Sequence, residues 1–217
     1  MTEYKLFYRR HLPHYQPPGA TLFVTFRLYG SIPRQVLETL LEEAQATERQ
    51  AVKLAANKRK AWLQQERKKS FARWDAALDC ADAGPTWLGK EEVANVVSQS
   101  MHYLHGRKYD LIAYCVMPNH VHVVFTPLPL EERSHSYHPL ASIMQSLKGY
   151  TAREANRILG RKGSFWQDES YDHVVRNEQE LERIVKYVLN NPVKAGLVNT
   201  LDQWRWSYCK SQVSGNM

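Results

Sequence analysis

The chain has 217 residues, of which 43% are hydrophobic and 24% charged, enough apolar content for one domain with a substantial core. No apolar run approaches the roughly 18 residues of a membrane helix, and MTEYKLFYRRHLPHY lacks the apolar segment of a signal peptide. Cys80, Cys115 and Cys209 form neither a disulfide framework nor a C-x-x-C zinc pattern, so the expected setting is a reducing cytoplasm. Lys and Arg number 29 against 22 Asp and Glu, a net +7 that favours a polyanionic partner.

Residues 1–20 are basic and aromatic and end in Pro17-Pro18-Gly19, which predicts an irregular arm. Residues 20–28 predict the first strand. Leu22, Val24, Phe26 and Leu28 share one face, and Thr21, Phe23, Thr25 and Arg27 the other. A helix opens near Pro33, and no proline or glycine follows until Gly84-Pro85, so 34–80 reads as one long helix or a helical pair. This segment is strongly basic, with nine Lys and Arg between Glu48 and Trp74 against Glu48 and Glu66 alone. Trp62, Phe71 and Trp74 interleave with the cations. That composition fits a DNA-facing clamp whose rings stack on bases, and fits equally a solvated helix whose rings pack on the domain.

Residues 90–105 predict an amphipathic helix with Val93, Val96, Val97, Met101 and Leu104 on one side. Two strands follow, 109–117 and 120–126, joined by a tight turn at Pro118-Asn119. After a loop at 127–138, a helix covers 139–158, and Gly160-Arg161-Lys162-Gly163 makes a basic turn. Short strand pieces are expected at 165–167 and 171–175. Asn177 with Glu180 gives a capping-box pattern at the start of a helix over 178–190, expected to stop at Asn190-Asn191-Pro192 because proline disfavours helical geometry in the residue before it. Residues 205–217 read as a short C-terminal tail.

Without the insertion at 34–80 the order is β-α-β-β-α-β plus a terminal helix. The expected fold class is α+β, a ferredoxin-like antiparallel sheet with helices on one face and a long helical insertion after the first strand, all within a single domain spanning 1–217. Such a sheet keeps its second face for a site.

The polar residues that interrupt the strand 120–126 are His120 and His122. Side chains two apart on a strand project the same way, so both imidazoles face one side while Val121 and Val123 face the other. They read as half-exposed strand residues or as two arms of a metal or phosphate site. On the last helix Tyr187 and Asn191 are four apart and share a face. By position alone Tyr187 is also a core or rim tyrosine, and Asn191 a helix C-cap. Tyr150, with Lys148 nearby, is the rival nucleophile, and His173 is a supporting group or a satisfied strand histidine.

The stretches MPNHVHVVF, SLKGYTAREAN, FWQDESYDHVVRN and YVLNNPVKAGLV together resemble the REP-associated tyrosine transposases, relatives of the HUH single-strand transposases of bacterial insertion sequences. The resemblance covers the strand at 20–28 and nearly all of 109–208, and leaves the helical insertion outside the common core. It implies that His120, His122 and Asn191 ligate a divalent cation, Mg²⁺ or Mn²⁺, and that Tyr187 is the nucleophile. The implied activity is metal-dependent transesterification: single-stranded DNA is nicked and rejoined at or near hairpins through a 5′-phosphotyrosine. The implied partner is single-stranded or hairpin DNA, the implied location a nucleoid-associated place in the cytoplasm, and the implied state a monomer, with a dimer as the alternative. Lys148, Arg153, Arg161 and Lys162 are candidates to grip the DNA, or else solvated surface cations.

The chemistry needs these groups. A phenol with a pKa of about 10 is a poor nucleophile at neutral pH, and a cation that polarises a phosphate oxygen makes the phosphorus easier to attack. Mg²⁺ prefers oxygen, so two nitrogen ligands would leave DNA phosphate and water to complete its shell. The competing reading is a sequence- or structure-specific DNA-binding protein on the same fold without transposition activity. A zinc hydrolase is disfavoured, because no Asp or Glu stands beside the histidine pair in the sequence to act as general base.

Overall fold

Side chains that alternate in direction along Leu22–Leu28 and His120–Pro127 give an antiparallel sheet two unlike faces in a computed structural model of the chain, which describes residues 7–9, 13–15, 17–79, 84–131 and 136–210. The elements in order are β1 (Phe7–Arg9), β2 (Pro13–Tyr15), β3 (Leu22–Leu28), α1 (Arg34–Lys53), α2 (Ala56–Asp79), α3 (Glu91–Leu104), β4 (Tyr109–Val116), β5 (His120–Pro127), α4 (Leu140–Ile158), β6 (Trp166–Val174), α5 (Glu178–Lys194) and β7 (Ser207–Cys209). The chain divides into two compact units, one formed by the residues up to Tyr29 and from Thr86 on, the other by Gly30–Pro85. Among the described residues no helix is long and apolar enough to cross a membrane.

In the first unit the sheet order is β6-β3-β5-β4-β7, and every neighbouring pair is antiparallel. The strand joined to β3 through α3 is β4, with β5 between them. The strand joined to β5 through α4 is β6, with β3 between them. This is the split β-α-β arrangement, and it confirms the expected α+β class. Val24, Phe26, Val121 and Val123 on one face pack with Val93, Val97 and Met101 of α3 and Ile143 and Leu147 of α4 in a single core cluster. Each such aliphatic side chain contributes about 1.5–3 kcal/mol when fully buried. Tyr109 stacks on Phe125 at 4.6 Å and donates to the Met101 carbonyl at 2.9 Å, and burial pushes its phenol pKa up.

Helix α5 contacts β4, β5 and β7, and Asn191 on it reaches His122 on the face turned away from the α3–α4 core. Its start is built by the Asn177–Glu180 pair in a modified form. The Asn177 side chain accepts from the Glu180 backbone N–H at 2.9 Å, while the Glu180 carboxylate accepts from the Arg176 backbone N–H rather than from that of Asn177. The helix was expected to stop before Pro192 but continues to Lys194. Proline in the last turn forfeits one hydrogen bond, and the carbonyls of Asn191 and Pro192 still accept from Ala195 and Leu197.

Three further expectations change. The two strand pieces after α4 are one strand, β6, whose register against β3 shifts between Phe26 and Leu28. Within the arm, β1 and β2 pair antiparallel. Within 205–217, Ser207–Cys209 adds an edge strand to β4, and 211–217 lie outside the described residues.

In the second unit, α1 and α2 pack together, so the basic segment is a helical pair. No glycine or proline marks the break at Leu54-Ala55. The Arg59 guanidinium stabilises it by donating to the carbonyls of Val52 and Leu54 at 3.1 and 3.0 Å, which satisfies acceptors left open at the end of α1. Arg73 of α2 pairs with Glu43 of α1.

Candidate active site

Period-two geometry on β5 sends His120 and His122 to the face opposite the α3–α4 core, and both are buried. Each ring is held through its Nδ1. The Asn119 Oδ1, in the β4–β5 turn, lies 2.6 Å from His120 Nδ1, and the Thr25 Oγ1 lies 2.8 Å from His122 Nδ1. An amide oxygen can only accept, so His120 carries its proton on Nδ1 and keeps a lone pair on Nε2. The two Nε2 atoms then meet at 3.0 Å.

Helix α5 brings the other two candidates to this point. Asn191 is buried, its Nδ2 lies 3.0 Å from His122 Nε2, and the same nitrogen donates to the Tyr187 hydroxyl at 3.3 Å. The Tyr187 ring meets the His122 ring edge-on at 5.5 Å and the Phe23 ring edge-on at 6.1 Å, and the Lys194 ammonium lies 5.8 Å from its centroid. Tyr187, Asn191 and Lys194 thus occupy one face of α5, at spacings of four and three residues.

These residues fit a divalent cation on two counts. Adjacent ligands that each stand about 2.1 Å from a metal at a right angle are about 3 Å apart, as the two Nε2 atoms are. The Asn191 Oδ1 is buried and, among the described residues, accepts no hydrogen bond, and turning the amide over would set that oxygen at His122 Nε2. The group that could hold a cation is therefore two imidazole nitrogens and one amide oxygen, with the phenol of Tyr187 next to it.

Three residues of this face were not singled out from the sequence. Thr25 and Asn119 orient the imidazoles through their far nitrogens, the usual arrangement behind metal-ligating histidines. Arg27 is the ladder partner of His120 and is buried. Burial lowers its pKa to about 10, which keeps it cationic at neutral pH. The signal for Thr25 and Arg27 was their place on the polar face of β3, but only the β3–β5 register pairs them with His122 and His120.

The remaining candidates lie elsewhere. Lys148 stands on α4 across the sheet and donates to the carbonyls of Gln167 and Asp168 at 2.9 and 3.1 Å, tying α4 to β6. Arg161 lies 3.8 Å from the centroid of Trp87 and donates to the Ser164 carbonyl. Arg153 and Lys162 are exposed. Tyr150 is half-exposed on α4, on the face opposite the histidines. His173 lies 3.3 Å from the Glu180 carboxylate rather than at the histidine pair.

Residues 87–191 match the family described as transposase IS200 like, a run that contains His120, His122, Tyr187 and Asn191. A Haemophilus influenzae protein provisionally named a REP-associated tyrosine transposase is 27% identical over 108 residues, covering 46% of this chain and 58% of the relative. The Escherichia coli REP-associated tyrosine transposase is 29% identical over 101 residues, covering 46% and 54%. The alignments thus span little more than half the length of these curated relatives. A solved structure of the REP-associated tyrosine transposase bound to a REP hairpin aligns over 95% of this chain and 82% of that chain, with a TM-score of 0.49 and 20% identity.

Proposed function

From a chain that resembles the REP-associated tyrosine transposases and matches the IS200-like transposases across its site, we propose a DNA transesterase that nicks and rejoins single-stranded DNA at or near hairpins. The observation that carries this reading is the Asn191 side chain, which touches both His122 and the Tyr187 hydroxyl. It supports a nucleophile and a ligand set acting together at one point.

In the proposed reaction the Tyr187 oxygen forms a bond to the scissile phosphorus as the bond from phosphorus to the 3′ oxygen breaks. The phenolic proton leaves Tyr187 and the departing oxygen gains one, so the products are a 3′-OH and a 5′-phosphotyrosine. A divalent cation, Mg²⁺ or Mn²⁺, held by His120, His122 and Asn191 would polarise a non-bridging phosphate oxygen. Asn119 and Thr25 fix the two imidazoles so that Nε2 of each faces inward. With Oδ1 turned to the cation, the Asn191 amide still stands against the Tyr187 hydroxyl, which can then donate to it. The phosphodiester energy stays in the protein–DNA bond, so attack by a second 3′-OH reverses the step and joins strands without ATP. Tyr187 stands against Asn191 and the His122 ring of its own chain, which supports a monomer.

The test incubates the protein with labelled hairpin oligonucleotides and Mg²⁺ or Mn²⁺ and reads covalent adducts on a denaturing gel. An adduct formed by the wild type and absent from Tyr187→Phe is expected. Adduct formation by Tyr187→Phe with loss in Tyr150→Phe would reassign the nucleophile. Tight hairpin binding by the wild type with no adduct would favour a DNA-binding protein without transposition activity.

A further inference from the structure

Outward from Tyr187, the surface of α5 carries an open cleft of about 480 Å³ lined by Arg183, Lys186, Tyr187, Leu189, Asn190 and Leu201. Arg183, Lys186 and Asn190 are exposed. Arg183 spends its Nε on the Gln179 carbonyl of its own helix, and among the described residues neither Arg183 nor Lys186 is paired with a carboxylate. Glu182 stands four residues before Lys186, at the spacing of a helical ion pair, yet no such pair forms. Two cations without a carboxylate partner among the described residues therefore border a cleft whose wall includes the proposed nucleophile. Leu201, 47% exposed, supplies an apolar surface beside them. Other surface cations are held by carboxylates, as Arg73 is by Glu43 and Lys210 by Asp110, and what sets Arg183 and Lys186 apart is that they line a cleft shared with Tyr187.

We propose that this cleft holds the DNA segment on the 3′ side of the scissile phosphate, the segment that remains attached to Tyr187 after cleavage. The inference rests on the transesterase reading and names the binding site for one of its two products. The freed 3′-OH strand must leave or exchange, while the 5′-phosphotyrosine strand is covalently fixed to α5 and must run over the surface next to Tyr187. The first backbone phosphates after the linkage meet Arg183 and Lys186, and a sugar or base lies against Leu201. Arg183 and Lys186 stand three residues apart on α5, close to one helical turn, so both face the same stretch of strand. Asn190 adds an amide that can donate to a phosphate oxygen or a base edge.

The experiment compares substrates that share the hairpin and scissile site and carry one, two, four or eight nucleotides on the 3′ side. Wild-type protein is expected to bind and form adducts with increasing affinity as the flank grows to about four nucleotides. In Arg183→Gln/Lys186→Gln the dependence on flank length flattens, and the slope of log affinity against log salt becomes shallower by about 1.4 on the longer substrates, about 0.7 for each lost contact to single-stranded DNA. Arg183→Lys/Lys186→Arg restores both, which a loss of helix packing would not allow. Wild-type adducts whose affinity ignores flank length, or a double variant with unchanged length dependence and salt slope, overturn this inference and leave the transesterase reading standing. No adduct from the wild type on any substrate removes both.

Discussion

Thr25 Oγ1 and His122 Nδ1 lie 2.8 Å apart, and the two residues are directly opposed in the β3–β5 ladder. The contact fixes the ring so that Nε2 faces His120 and Asn191. Thr25→Val keeps the shape and the β-branching of the strand but removes the hydroxyl. Loss of such an outer partner costs about 10–100-fold in metal affinity, so titration with Mn²⁺ should show a weakening of that order. Thr25→Ser should remain near wild type. An unchanged Mn²⁺ affinity in Thr25→Val would mean that the hydroxyl only completes the sheet.

Glu180 links β6 to α5. Its buried carboxylate accepts from the side chain and backbone N–H of Arg176 and lies near His173. The Arg176 guanidinium, foremost, holds the carboxyl at about 2 instead of the usual 4.5. A depressed folded-state pKa gives stability that is fully present above the unfolded value and is lost as pH falls from about 4.5 toward 2. Arg176 is partly solvated, which screens the pair, so the contribution at neutral pH is about 2 kcal/mol. Urea midpoints measured from pH 2 to 7 should rise through this window in the wild type. In Glu180→Gln the rise should shrink, and the two proteins should converge near pH 2.

Trp166 at the start of β6 donates its indole N–H to the Thr151 hydroxyl at 2.8 Å, and the hydroxyl in turn donates to the Leu147 carbonyl at 2.7 Å. All of this is buried. Thr151→Val leaves the indole N–H without an acceptor, a loss of about 1–3 kcal/mol in urea unfolding. Thr151→Ser keeps the acceptor and should lose less than half as much. Equal losses in the two variants would place the effect in packing of the methyl group instead.

The parts of the fold that were legible in the sequence are those with a local period. Leu22, Val24, Phe26 and Leu28 alternate along β3, and Val93, Val97, Met101 and Leu104 recur along α3, and each set lies in the core. His120 and His122 were legible for the same reason, since period two fixes their face whatever the partner. What remained hidden depends on groups distant in the chain. The break at Leu54-Ala55 has no glycine or proline, and the guanidinium that stabilises it comes from α2. Asn119 reads as a turn residue, and only the folded turn directs its side chain to His120. Strand β7 is three residues long, too short for a period to show, and exists because β4 offers it an edge. Pro192 reads as a stop signal, yet α5 carries on to Lys194 and so gives Tyr187 a cation two turns later.

The basic helical pair offers a way to separate cations that hold the fold from cations available to DNA. Arg59 is engaged with the α1 carbonyls, whereas Lys58 and Lys68 are exposed and, among the described residues, form no ion pair. Arg59→Gln should lower the stability of the protein by about 0.5–1.5 kcal/mol with no change in the salt dependence of DNA binding. Lys58→Gln/Lys68→Gln should leave stability within about 0.5 kcal/mol of wild type, as for surface substitutions generally. If the pair grips DNA, the same double variant should make the log–log salt slope shallower by about 1.4 for contacts to single strand or about 1.8 for contacts to the duplex stem, which hairpin-binding isotherms between 50 mM and 200 mM salt resolve. A slope equal to that of the wild type would assign these lysines to solvent and leave the DNA to the sheet unit alone.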